Sequence, residues 1–457
     1  MKLIGKYRIC GLLGRGRMGK IFKVQHPLIG KIFALKRLDP DPLLVSLLGW
    51  NKIKAMFRSE AVAIAGLRHP NIVEILDYDA SEGKLFYLME YYVNNLGIVI
   101  GEPLHTEEPS RKIKIEKAIR YISQTLNAIK CMHHAGIIHR DIKHHNLLLT
   151  DYDAVKVCDF GLSKLRGETF DGPSSLKFGS AGYAAPEQQE DPNRAEVRAD
   201  LYAVGIILYR LLTGVLPEDT YRPVGGFNAD LDASWDEFIR KAIARRPEKR
   251  YLTAAEMLAD LQVLAAAWEA KKEQICLLPQ TGQAGSKAPP AGQIIPRSSS
   301  LKIGPRDAQK TFGLDDLWRP ARFLPNDFAI NSDQTITDRA TGLVWQQSGT
   351  EFPVTWSQAK AYIEVLNAAR FAGSNAWRLP TINELMTLLT EFPRGEDYCI
   401  EPVFDRTQKS IWSCDRRSFT AAWYISIEMA YVAWQDFTAY FHVRAVRDVR
   451  CNDGLVE

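Results

Sequence analysis

Apolar and polar positions alternate with period two through the first 40 residues, as in GKIFKV from 19 and KIFALKRL from 31, which predicts short half-buried strands. Helical spacing takes over at about 43 to 66, where FRSEAVAIAGL forms an amphipathic stretch, and alternation returns near 73 to 77 and 85 to 92. From about 111 onward helix dominates. One clear late helix opens at Thr253, where T-A-A-E forms a capping box whose hydroxyl and carboxylate can each satisfy a free backbone N–H, and it runs to about Lys271. Residues 271–315, most plainly 272–310, are rich in Pro, Gly, Ser and Gln with few apolar anchors, so they read as a flexible linker. The texture changes at 316–457, which holds seven of the ten tryptophans. Two further capping boxes, TWSQ from 355 and TINE from 381, each open an amphipathic helix among short aromatic-rich strands.

A chain of 457 residues exceeds what one core usually holds, so the change of texture marks two domains: 1–270 and 316–457. The net charge of +4 is small and its basic residues are dispersed, which leaves no footprint for nucleic acid or an anionic membrane. Seven cysteines without a CxxC pair fit free thiols in a reducing cytoplasm. The first residues lack a signal peptide's apolar region, and the longest apolar run, LYAVGIILYRLLTGVL from 201, is interrupted by Arg210 and too short to span a bilayer. The expected location is cytoplasmic.

The first domain carries an ordered set of chemical groups. GRGRMG at 14 to 19 is a GxGxxG followed by a strand, not a helix, which places the glycines in a hairpin able to fold over phosphates or to serve as a plain tight turn. Lys36, twelve residues beyond Val24, could reach such phosphates or snorkel at the surface. Glu60 could pair with it or simply be solvated. In HRDIKHHN, Asp141 can accept a hydroxyl proton, Lys143 can neutralise phosphoryl charge, and Asn146 offers a neutral oxygen for Mg2+, with Asp159 of VKVCDFG as a second oxygen donor. His139, His144 and His145 form a metal site only if a further ligand completes the set, and no cysteine or carboxylate cluster does so. Glu187 and Arg250 are candidates for a buried ion pair.

LGRGRMGKIFKV, FALK, the Glu60 helix, RHPNIVEI, LMEYY, HRDIKHHN, CDFG, GSAGYAAPE, RADLYAVGIILYRLLTG and ARRPEKRY follow one another in the order and spacing of the eukaryotic-like serine/threonine protein kinases, which the chain resembles over about 260 residues. The resemblance implies an α+β chain: a bilobal protein-kinase fold, then the linker, then a small mixed α/β domain. It further implies ATP and Mg2+ as cofactors. Leu13, Gly14, Gly16 and Gly19 would cover the nucleotide, Val24 and Ala34 would pack on adenine, Met89 would be the gatekeeper, and Glu90 to Tyr92 the hinge. Lys36 and Glu60 would orient the phosphates, Asp141 would be the catalytic base, Lys143 would steady the γ-phosphate, and Asn146 and Asp159 would hold the metal. Asp200 would anchor the catalytic loop. Two departures stand out: His144 replaces a usual proline, and DPDPLLVSLLGW lengthens the path from Lys36 to Glu60. Ser180 in GSAGYAAPE keeps a hydroxyl that points to serine/threonine substrates, and Arg140 would seek a phosphate on Thr169, Ser174 or Ser175.

The run NAWRLPTINELMTLL after TWSQAKAYIEVLNAA resembles the bacterial domain family named for the C-terminal part of a collagen-like adhesin, which is similar to C-type-lectin-like folds. That resemblance implies a module binding a protein or small ligand. Most tryptophans should be core, whereas Trp423, Tyr424, Tyr431, Trp434 and Tyr440 in the late strands are expected to form an exposed binding surface. The reading is an autophosphorylating kinase acting on Ser/Thr of protein substrates, with homodimerisation as a route to trans-autophosphorylation. A pseudokinase scaffold and a small-molecule kinase are the competing readings, and neither nucleic acid nor membrane is an expected partner.

Overall fold

The computed structural model describes residues 2–16, 18–101, 109–160, 164–165, 179–218, 220–277, 296–394 and 398–449. The chain divides into two compact units, Met1–Pro279 and Gln280–Glu457. In the first, β1 (Leu3–Ile4), β2 (Tyr7–Arg15), β3 (Gly19–Gln25) and β4 (Ile32–Leu38) precede α1 (Pro42–Leu48) and α2 (Trp50–Ala65), and β5 (Ile75–Ser81) and β6 (Lys84–Met89) complete an antiparallel sheet of order β1-β2-β3-β4-β6-β5. The region expected to be one helix is two, because Gly49 adopts φ 77°, ψ 150° and breaks the ladder. That backbone disfavours any residue with a Cβ. The extra residues between Lys36 and Glu60 thus fold as a separate short helix rather than lengthening α2.

Helix dominates the remainder of this unit, which comprises β7 (Asn94–Asn95), α3 (Leu96–Ile100), α4 (Ile115–His134), β8 (Ile137–Ile138), β9 (Leu147–Leu149), β10 (Val155–Val157), β11 (Lys164–Leu165), α5 (Pro186–Glu190), α6 (Val197–Thr213), α7 (Ala233–Ala242) and α8 (Ala254–Leu277). Helix α6 is buried from Ala199 to Thr213 apart from Tyr202, and α4 packs against α6 and α8. It is buried on all sides because it runs through the core, so its apolar run needs no bilayer. Among the described residues no helix is long and apolar enough to cross a membrane. At the start of α8 Thr253 Oγ1 accepts from Glu256 N at 3.1 Å, while the Glu256 carboxylate reaches back one residue further than a capping box requires, to Leu252 N at 2.8 Å.

The second unit is β-rich. Helix α9 (Pro305–Phe312) is followed by β12 (Phe328–Ile330), β13 (Thr335–Asp338), β14 (Leu343–Gln346), α10 (Trp356–Ala368), α11 (Ile382–Thr387), β15 (Leu389–Arg394), β16 (Tyr398–Ile400), β17 (Ser410–Arg416), β18 (Ala421–Ser426), β19 (Tyr431–Asp436) and β20 (Val446–Asp448). The strands pair as β12-β13-β14-β20, β15-β16 and β17-β18-β19. Both predicted capping boxes form, at Thr355 with Gln358 and at Thr381 with Glu384.

Two expectations change here. Residues 297–312 belong to the packed unit: Arg297 makes a bidentate pair with buried Asp415 at 2.7 and 3.0 Å, Asp415 also accepts from Leu301 N, and Trp423 Nε1 donates to Ile303 O. Ala308 and Phe312 lie in the core, with Phe312 edge-on to Trp423. The expected aromatic surface also fails, because every residue of β18 is buried and Trp423, Tyr424 and Tyr431 are core. Trp434 is half-buried and Tyr440 alone of the five is exposed. Phe312→Ala should therefore destabilise the second unit by about 3–5 kcal/mol in denaturant unfolding, an effect no linker residue would have.

Candidate active site

The glycine hairpin is built by β2 and β3. A Cβ on Gly19 would lie 2.1 Å from Arg37 O, so this glycine is required by the close approach of β4. Gly14 has open space where its Cβ would be, and Gly16 donates its N–H to Gly19 O at 2.9 Å, closing the turn. Leu13 is exposed at the lip. Gly14 and Gly16 leave room above the sheet for a ligand to approach backbone.

Strand register sorts the remaining upper residues. Ile21 lies opposite Lys36 and Lys23 opposite Ala34, so these four share a face of the pleat, while Val24 lies opposite Phe33 and packs with Ile4, Tyr7 and Leu35 on the other face. Val24 is therefore not beside Ala34 in the cleft, and Ile21 takes that place. Parity of position along the strand is the signal that separates the two. Ala34 pairs with Met89 at the end of β6, next to the hinge. There the Glu90 carboxylate accepts from Lys156 Nζ at 2.8 Å, Tyr92 Oη at 2.9 Å and Glu74 N at 3.2 Å. Burial alone would raise the Glu90 carboxyl, but these donors hold it below its ordinary value.

Lys36 is buried. Its Nζ lies 2.8 Å from Glu60 Oε1 and 3.1 Å from Asp159 Oδ1. Burial opposes its charge, yet the carboxylates, Glu60 first and then Asp159, raise it well above the usual lysine range. Asp159 moves the other way: burial would raise its carboxyl, but Lys36, His139 and Lys143 outweigh that and lower it. Tyr87 Oη also donates to Glu60 Oε1, at 2.9 Å.

Below them the 3-10 turn His144–Asn146 follows Asp141 and Lys143. Lys143 Nζ lies 2.9 Å from Asp141 Oδ2 and 2.7 Å from Ser180 Oγ, and Ser180 Oγ donates to Asp141 Oδ1 at 2.8 Å. Asn146 Nδ2 donates to Asp141 O and Oδ2, which leaves its amide oxygen turned to other uses. Asp200 on α6 accepts from the backbone N–H of both His139 and Arg140, at 2.9 and 2.8 Å, and meets His133 Nε2 at 2.8 Å. His133 belongs to no motif and is an addition to the expected set. His139 Nδ1 accepts from Asp141 N and its Nε2 faces Cys158 O at 3.1 Å, so that imidazole buttresses the loop. His144 is fully buried with Nδ1 2.8 Å from Tyr183 Oη, supplying from GSAGYAAPE the restraint a proline would have provided by covalent geometry. Arg140 and Asp159 both have left-handed backbone, φ 65° and 62°, the kind of strain that gathers at functional sites. Glu187 and Arg250 form the expected pair, bidentate at 2.7 and 2.8 Å. Thr169, Ser174 and Ser175 lie outside the described residues.

Residues 7–261 match the protein kinase domain family, and the chain belongs to that family. Residues 334–447 match the Lcl C-terminal domain family. Among relatives, it is 34% identical over 286 residues to the Myxococcus xanthus serine/threonine-protein kinase pkn3, covering 57% of this chain and 50% of that protein. It is 33% identical over 282 residues to Mycobacterium tuberculosis serine/threonine-protein kinase PknB, covering 57% of this chain and 43% of the relative. The chain thus spans about half the length of these relatives or less. The crystal structure of a double mutant of the Mycobacterium tuberculosis PknI kinase domain aligns with TM-score 0.44 and 24% identity over 58% of this chain and 97% of its own.

Asp200 carries a pH prediction. Burial would raise its carboxyl, but the His133 hydrogen bond and the charges and N–H groups around it lower it instead. A depressed folded value contributes stability above the unfolded value, about 3.9, and loses it as pH falls through the folded one. Asp200→Asn should cost about 3 kcal/mol at neutral pH and flatten the acid limb of a denaturation-midpoint profile measured from about pH 7 to 3.

Proposed function

We propose that this chain is an ATP-dependent serine/threonine protein kinase, and the observation that carries the reading is the convergence of Lys36, Glu60 and Asp159 over Asp141, Lys143 and Asn146. Lys36, fixed by Glu60, orients the α- and β-phosphates under the Gly14–Gly16 turn. Ile21, Ala34 and Met89 flank the base, with the hinge 90–92 offering backbone hydrogen bonds. The Asn146 amide oxygen and the partly exposed Asp159 carboxylate are hard oxygen donors of the kind Mg2+ takes. The bound ion would neutralise charge on the phosphates being parted.

Asp141 accepts the proton of an attacking hydroxyl, and Lys143 lies beside it to balance charge on the transferred group. Ser180 Oγ already donates to Asp141 Oδ1, which is the contact a substrate serine or threonine hydroxyl would make in its place. The γ-phosphoryl passes from ATP oxygen to substrate oxygen while the hydroxyl proton leaves to Asp141. Because no member of the charged set is missing, nothing supports a scaffold reading over an enzyme.

For the second unit we propose a binding role, supported by its match to the Lcl C-terminal domain and by exposed Phe352, Phe419 and Tyr440. A module tethered through the Pro/Gly/Ser-rich segment would raise local substrate concentration toward the millimolar range. Removing 296–457 should leave the kinase reaction on a short peptide intact while changing which proteins are labelled. With radiolabelled ATP, Asp141→Asn and Lys36→Met should each lower transfer by about 10²-fold or more, and equal label in wild type and both variants would overturn the kinase reading.

A further inference from the structure

Tyr87 is a buried polar group at this site that the reaction does not consume. It sits on β6 directly opposite Lys36 of β4, 2% exposed, in an apolar cluster with Leu38, Ile53, Phe57 and Ala61. Its ring lies 5.2 Å from that of Phe57 on α2. Its hydroxyl donates to Glu60 Oε1, the same oxygen that takes Lys36 Nζ. We propose that Tyr87 is a positioning residue whose hydroxyl, delivered from a central strand, holds the Glu60 carboxylate and helix α2 in register with Lys36. The proposal rests on the kinase reading, in which the Lys36–Glu60 pair sets the phosphates.

Two donors on one carboxylate oxygen fix it more tightly than one, and they differ in stiffness. The Lys36 ammonium hangs on a four-carbon stem and is shared with Asp159, whereas the Tyr87 hydroxyl rides on a planar ring gripped by α2 and the sheet. Burial, then Glu60, pushes the phenol well above its ordinary value, so it remains a donor across the working pH range. If α2 moved away from the sheet, this hydroxyl would lose its Glu60 acceptor in apolar surroundings, a penalty that disfavours the displaced state by about tenfold or more. The device biases the helix toward the assembled arrangement before any nucleotide arrives.

The test uses full-length protein as wild type, Tyr87→Phe, Glu60→Met and the double variant, with kcat and both KM values measured for ATP and a serine peptide. Tyr87→Phe should raise the KM for ATP and lower kcat, for about a tenfold loss of kcat/KM, with the peptide KM unchanged. In the Glu60→Met background the same change should alter kcat/KM by less than about twofold, because the acceptor is already gone. Loss of folded protein would lower kcat alone, and by the same factor in both backgrounds. Either that pattern or unchanged kinetics in Tyr87→Phe would overturn the proposal. Amide hydrogen exchange along 50–65 separates its failure from that of the kinase reading. Faster exchange in Tyr87→Phe than in wild type, absent in the Glu60→Met pair, would sustain the positioning role even if wild type transferred no phosphate, and equal exchange would reject it.

Discussion

A single buried carboxylate, Asp200, organises the lower half of the site. Taking a carboxylate out of water is costly unless its lone pairs find donors, and here two consecutive backbone N–H groups and an imidazole provide them. Two successive N–H groups can converge on one carboxylate only if the chain between them turns sharply, and Arg140 accordingly takes φ 65°. The strain is tolerable because Asp200 stands on α6, a helix buried along nearly its whole length, which cannot move aside. His139 then passes the constraint on: its backbone is held by Asp200, its Nδ1 holds Asp141 N, and its Nε2 meets the carbonyl next to Asp159. One charge in the core thus fixes the two carboxylates on which the proposed chemistry turns.

The upper half solves the complementary problem with a buried cation. Lys36 is stable as an ammonium only because Glu60 and Asp159 both face it, and those partners come from different parts of the fold. Glu60 ties the lysine to α2. Asp159 ties it to the segment after β10, and a displacement of either element weakens the charge that the other depends on. Tyr87 adds a neutral contact to this arrangement that does not compete with phosphate for the ammonium.

Lys36, Glu60, Asp141, Asn146, Asp159, Asp200 and the Glu187–Arg250 pair are legible in the sequence because each falls in the ordered set of motifs that resembles the protein kinases. The remainder depends on contacts that local pattern does not encode. The resemblance is carried onto Val24, but a pleat sorts residues by parity, and the register of β3 on β4 gives that face to Ile21. Gly49 looks like any residue of an apolar run, yet its positive φ splits the helix. His133 and Tyr87 carry no motif at all; their partners lie 67 and 27 residues away. The linker reading fails at 297–312 for the same reason, since Arg297 is anchored by a carboxylate 118 residues distant.

The second unit shows how a recognisable motif can concern architecture alone. In WRLPTINEL, Trp377 Nε1 donates to Phe371 O, Arg378 makes a bidentate pair with Glu384 at 2.8 and 2.6 Å, and Glu384 turns back to cap Thr381 N at 2.8 Å. Glu384 is fully buried, so removing Arg378 would strand a charge inside the fold. The residues by which this unit is recognised are therefore committed to building it. In the proposed binding role a ligand would be met by other side chains, and of the four large aromatic groups exposed among the described residues of this unit, Phe352, Phe419 and Tyr440 stand on connecting loops and Phe392 on β15. Loops can change sequence without disturbing β17, β18 or β19, so a binding face placed there can diverge while the scaffold stays the same.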